Sequence, residues 1–207
     1  HVGEIFLPDT VAGFCLRSTI GRTVFPIFAF LLVRHLFSSG CYEKYLKRLG
    51  LFALLSQILL FPYIHFKLNI FFSLFLAVFL LFCFKRARER GFSFPQTCFA
   101  DTVVASGCLF LSFFCPYEIY GLLFILGLYS YEETRQKRFF AFALLCAFLM
   151  NWFPDADILW GISSVLTVLF LNAFSWGGKR FLGKWFFFYA FYPFHLLFLY
   201  VLKDFWM

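Results

Sequence analysis

The 207 residues are 62% hydrophobic and 14% charged, with a net charge of +7 at neutral pH and a mean hydropathy of +0.83. Soluble domains carry about 25% charged residues, so this composition excludes an ordinary soluble chain and points to an integral membrane protein. The positive charge does not mark a nucleic-acid binder, because the basic residues recur in short loops at every second connection.

Apolar runs predict helices at about 23–38, 45–62, 68–84, 97–115, 118–131, 139–154, 157–175 and 185–203. Crossing ~30 Å of hydrocarbon takes ~20 helical residues, and the shorter runs need snorkelling flanks or a thinned bilayer. Of the 18 Lys and Arg, 14 fall at Arg34 and in 38–48, 85–96, 131–138 and 175–184. Basic loops stay in the cytoplasm during insertion, so these are predicted cytoplasmic. The short run 118–131 is kept because losing it breaks the alternation. The expected fold is all-α: a polytopic transmembrane bundle of about eight spans, forming a single domain over 1–207. The chain starts at His1 with no signal-peptide pattern, which predicts a ninth, N-terminal span ahead of it that ends near His1.

The seven cysteines lack CxxC or Cys/His ligand spacing and read as free thiols, so no metal site is expected. Gly177-Gly178-Lys179-Arg180 is too short for a phosphate loop.

Polar groups inside a span are costly and each requires a reason. His195 lies mid-span in the last predicted helix, in Tyr189-Ala-Phe-Tyr192-Pro193-Phe-His195. Pro193 frees backbone carbonyls beside it, and Tyr192 shares its face. Either His195 is a packed group bonded to a neighbouring helix, or it belongs to a functional site; the cluster favours the second. Arg22, in Gly21-Arg22-Thr-Val-Phe25-Pro26, opens a predicted helix on the extracytoplasmic side. It either snorkels to lipid phosphate or holds an anionic substrate in its planar fork. Pro26 is expected to kink or start that helix. Asn69 begins the third predicted span as a cap, with Ser73 on the same face. Ser56 and Gln57 are placed to bridge helices. Asp101 reads as a snorkelling or ion-paired group, and His35 and His65 as interfacial.

This topology puts His1, Arg22 and Asn69 in the extracytoplasmic half, with His195 near the midplane. Imidazoles, an arginine and tyrosine hydroxyls meeting there suit general-base chemistry, since a neutral His accepts a proton from an attacking amine or hydroxyl. No Ser or Cys nucleophile with a matching base is evident, which favours direct transfer.

Several segments resemble the TraX family of membrane proteins. They are His1-Val-Gly-Glu4-Ile-Phe-Leu-Pro, Ile20-Gly-Arg22-Thr-Val-Phe25-Pro26, Tyr45-Leu-Lys-Arg48-Leu-Gly, Leu68-Asn69-Ile-Phe-Phe-Ser73 and Phe188-Tyr189-Ala-Phe-Tyr192-Pro193-Phe-His195. Their order holds over essentially the whole chain. The resemblance implies acetyl transfer from acetyl-CoA within the bacterial cytoplasmic (inner) membrane, to an amine or hydroxyl on pilin or another cell-envelope acceptor. It makes His195 and His1 catalytic candidates, and Arg22, Asn69, Tyr189 and Tyr192 substrate-binding ones. It also makes His1 the remnant of an Asp-His pair closing a lost first helix. Gln57 stands where the family usually has Glu, and Ser73 where Thr is common. The expected partners are membrane lipids and that acceptor. A competing reading is a small-solute transporter with His195, Arg22 and Asp101 along a proton or anion pathway; no matched broken helices in two halves support it.

Overall fold

The computed structural model describes residues 11–64, 68–90, 94–152 and 158–173, with Tyr189, Phe194, Leu197, Phe198 and Val201 beyond them; at 11–22, 62–64 and 94–95 it describes the backbone alone. These residues are helical with short turns, and no strand occurs among them. In chain order the helices are α1 (Val11–Ser39), α2 (Tyr42–Ile64), α3 (Ile70–Glu89), α4 (Phe94–Ser112), α5 (Glu118–Thr134), α6 (Lys137–Trp152) and α7 (Ile158–Ala173).

Local chemistry sets the ends. Gly40 takes φ +63°, and its N–H donates to the Leu36 carbonyl at 2.9 Å, which turns α1 into α2 within two residues. Asn69 caps α3 by accepting from the Phe71 N–H at 3.0 Å. Arg135, in the left-handed region at φ 57°, closes α5 and with Gln136 makes the tight hairpin into α6.

The short run at 118–131 forms a full helix, extended to Thr134. One expectation fails. Arg22 does not open a helix, and Pro26 neither starts nor ends one: α1 runs continuously from Val11 through both, for 29 residues or about 44 Å. A charge in a hydropathy profile reads as an interface. In backbone terms, however, Arg, Ser and Leu are ordinary helix formers, and nothing between Val11 and Arg22 stops the helix.

α3 and α5 form the centre. α3 contacts α2, α4 and α5; α5 contacts α1, α3, α4 and α6; and α7 closes against α1 and α6. Phe25, Leu36, Leu80, Leu122 and Phe124 are among the fully buried side chains. Gly127 lets α5 and α6 approach: a Cβ there would stand 3.3 Å from the Ala143 Cα and 3.0 Å from the Phe142 ring.

The bundle has a mostly apolar core, yet it also exposes large apolar side chains and buries several polar ones. Leu54, Ile58 and Phe61 of α2, Phe99 and Phe110 of α4, and Leu166 and Phe170 of α7 are exposed. Ser56, Asn69, Ser73, Asn151 and Ser164 are buried. Among the described residues α3 alone is long and apolar enough to cross a bilayer, at a mean hydropathy of 2.1; Thr23–Ser39 and Ile158–Ala173 are apolar but shorter.

Candidate functional site

Asn69 lies where α3 begins, at the level of the second half of α2. It is 1% exposed and fully engaged. Its Nδ2 donates to the Ala53 carbonyl at 2.7 Å and to Gln57 Oε1 at 3.2 Å. Its backbone N–H reaches the same Gln57 oxygen at 3.1 Å, while its Oδ1 caps α3. A carboxamide suits this position because it donates and accepts at once. Ser56, the residue before Gln57 on α2, is completely buried, and its Oγ has no hydrogen-bond partner among the described residues.

Tyr189 closes the same corner. Its ring stacks on Phe52, centroids 5.3 Å apart, and tilts against Phe71 at 5.9 Å. Phe71 is thus shared: its N–H serves Asn69 and its ring serves Tyr189. Two predicted substrate-binding residues, far apart in the sequence, therefore pack on the same Phe71, one against its backbone and the other against its ring. Arg22 is a helical residue of α1, and its side chain lies outside what the structure describes. His1, Tyr192 and His195 also lie outside the described residues.

Other polar groups join helices elsewhere. Asn151 of α6 donates to Ser164 Oγ of α7 at 2.7 Å, and both are fully buried. Glu132, 6% exposed near the end of α5, takes Arg34 Nε on one oxygen at 3.2 Å and Arg135 Nη2 on the other at 2.7 Å. Nearby, the hydroxyls of Tyr42 and Tyr129 lie 2.6 Å apart. Tyr42 sits in the basic stretch 38–48, outside the predicted spans. Burial, and then the bond to Tyr129, push its phenol well above the ordinary value, so it stays neutral and able to donate. Asp101 is half-buried and His35 exposed.

Sequence reasoning gave Asn69 its capping role and named Gln57 as a bridge, without pairing the two. It missed Glu132, which sits beside an Arg-rich turn and reads as a solvated charge. Among the described residues six cysteines are free thiols and no cluster has the makings of a metal site.

Comparison with known proteins gives three results. The chain is 29% identical over 225 residues to a probable fimbrial assembly protein, FimC of serogroup H1, from Dichelobacter nodosus; the match spans 95% of this chain and 86% of that protein. No solved structure matches this chain. The model of the family described as TraX protein matches residues 1–203, from the first quoted segment to beyond the last, and on that evidence the chain belongs to the TraX family.

Proposed function

We propose that this chain is a multi-pass protein of the bacterial cytoplasmic membrane that moves an acetyl group from acetyl-CoA to an amine or hydroxyl acceptor in pilus or fimbrial assembly. Membership of the TraX family along 1–203 carries the reading, and the fimbrial name of the Dichelobacter nodosus relative supports its setting. The membrane part draws on the outer surface: large apolar side chains of α2, α4 and α7 turned outward, with a few amides and hydroxyls buried between helices, match a lipid environment. Soluble monomers seldom expose contiguous apolar surface on this scale. The alternation of basic loops then sets the cytoplasmic side.

In this reading the acceptor nitrogen or oxygen attacks the thioester carbonyl, its proton passes to His195 or His1, and the C–S bond breaks as the coenzyme thiolate leaves. Arg22 binds an anionic group of donor or acceptor. The packed corner of Asn69, Gln57 and Tyr189 supports the substrate site from behind, since Asn69 is only 1% exposed. Its amide is already committed to Ala53 and Gln57, so it positions rather than reacts.

The test is labelling of an acceptor by radioactive acetyl-CoA in membranes holding the full-length protein. His195→Ala is expected to abolish it, and undiminished labelling in that variant defeats the enzymatic reading. The relative's name, a probable fimbrial assembly protein, fits a non-catalytic assembly factor equally well. That reading expects piliation in cells to survive His195→Ala.

A further inference from the structure

The last turns of α3 and the first half of α4 border an open cleft of about 370 Å³. Arg86 in the last turn of α3 and Arg90, its C-terminal cap, line it together with Phe82, Ala87 and, from α4, Ala100 and Val104. Ala87 and Ala100 end at Cβ, which leaves the space between the helices open. Arg86 rests over the Phe82 ring at 5.3 Å and gives one Nη to Glu43 at 2.6 Å, leaving its other N–H groups for a ligand. No ion pair among the described residues includes Arg90. Glu43 pairs with Arg86 and Glu89 with Lys85 at 3.8 Å, and no carboxylate is among the described residues that line the cleft.

We propose that this cleft binds the headgroup of one anionic phospholipid. Two guanidinium forks at one end suit a phosphodiester, which takes paired N–H donors better than a single charge. The other wall is apolar and continues outward: Phe99 and Val103, beside Ala100 and Val104 on α4, are 73% and 54% exposed and offer a path for acyl chains. The volume lies at the small end of the ligand range of roughly 300–1,000 Å³, which suits a headgroup whose chains remain outside. The site rests on the membrane placement proposed above, which sets 85–96 on the cytoplasmic side, where anionic lipid gathers and basic clefts between helices capture it.

Native mass spectrometry of the full chain, purified in detergent with phosphatidylglycerol and phosphatidylcholine, tests this. The wild type is expected to retain phosphatidylglycerol preferentially. Arg90→Gln, which removes the charge, and Ala100→Leu, which fills the space, are each expected to lower that retention about tenfold. Arg90 is exposed, so its variant remains informative whatever Ala100→Leu does to folding. Equal retention by wild type and Arg90→Gln overturns the site. So does displacement of the lipid by acetyl-CoA, which would hand the cleft to the donor's phosphates. Alkaline carbonate extraction separates the two levels: release of the chain from membranes defeats the membrane placement itself, whereas a chain that stays embedded without lipid preference defeats this site alone.

Discussion

Asn69 does three jobs with one carboxamide: it ends the loop before α3, bonds the α2 backbone through Ala53, and holds Gln57. Asn69→Ala loses a cap worth ~1 kcal/mol and two inter-helix bonds of ~1 kcal/mol each, an expected destabilisation of about 2–3 kcal/mol. Gln57→Leu removes the acceptor of two Asn69 N–H donors, so about 2 kcal/mol is expected. Because the two share a bond, their double variant should fall short of the sum by about 0.5–1 kcal/mol, measured by reversible unfolding in mixed micelles. Additive effects would mean the pair does not interact. In the labelling assay Asn69→Ala is also expected to weaken acceptor use, since Phe71 carries its displacement to the Tyr189 ring.

Between elements, the geometry of Glu132 separates two arginines that look equivalent in the sequence. Arg135 is three residues away on the same turn and its side chain is 61% exposed, so its pairing is local and solvent-screened. Arg34 comes from α1, is 31% exposed and joins helices 98 positions apart. Arg34→Ala leaves a nearly buried carboxylate with only an exposed partner, at a cost of about 2 kcal/mol, against less than ~1 kcal/mol for Arg135→Ala. Chemical unfolding of the two variants in detergent ranks them; the reverse order would mean that α1 and α5 are not tied at this end. The α5–α6 contact is tested by Gly127→Ala, whose added methyl must displace the Ala143 backbone or the Phe142 ring. Overpacking of this kind costs about 1–3 kcal/mol, read as a lowered melting temperature.

For the whole molecule, orientation is the quantity to measure. Cys41 is exposed in the turn between α1 and α2, within a basic stretch predicted to be cytoplasmic, whereas Cys108, Cys115 and Cys146 are buried. In a variant keeping Cys41 as the single thiol, a membrane-impermeant maleimide is expected to label inverted vesicles and spare intact spheroplasts. Labelling from the outer face would reverse the topology and move 85–96, with its arginine cleft, away from the cytoplasmic leaflet.

The sequence by itself determined that the chain is helical, where most helices run, and which family it belongs to. Those properties are local: apolar run length, Gly40 and Asn69 at boundaries, and short motifs such as Gly21-Arg22 and Leu68-Asn69 are all visible along the chain. The start of α1 escaped because Arg22 is a break in hydropathy without being a break in helix propensity. Only the tertiary structure decided which helices touch and which polar groups meet: Asn69 with Gln57, Phe71 with Tyr189, Arg34 with Glu132. The physical reason lies in the composition. A soluble helix announces its buried face by an apolar stripe, but helices apolar nearly all round, as α3 and α5 are, carry no such stripe. Their neighbours are chosen by small residues, scattered amides and the fit of aromatic rings, which acquire meaning only once the chain has folded.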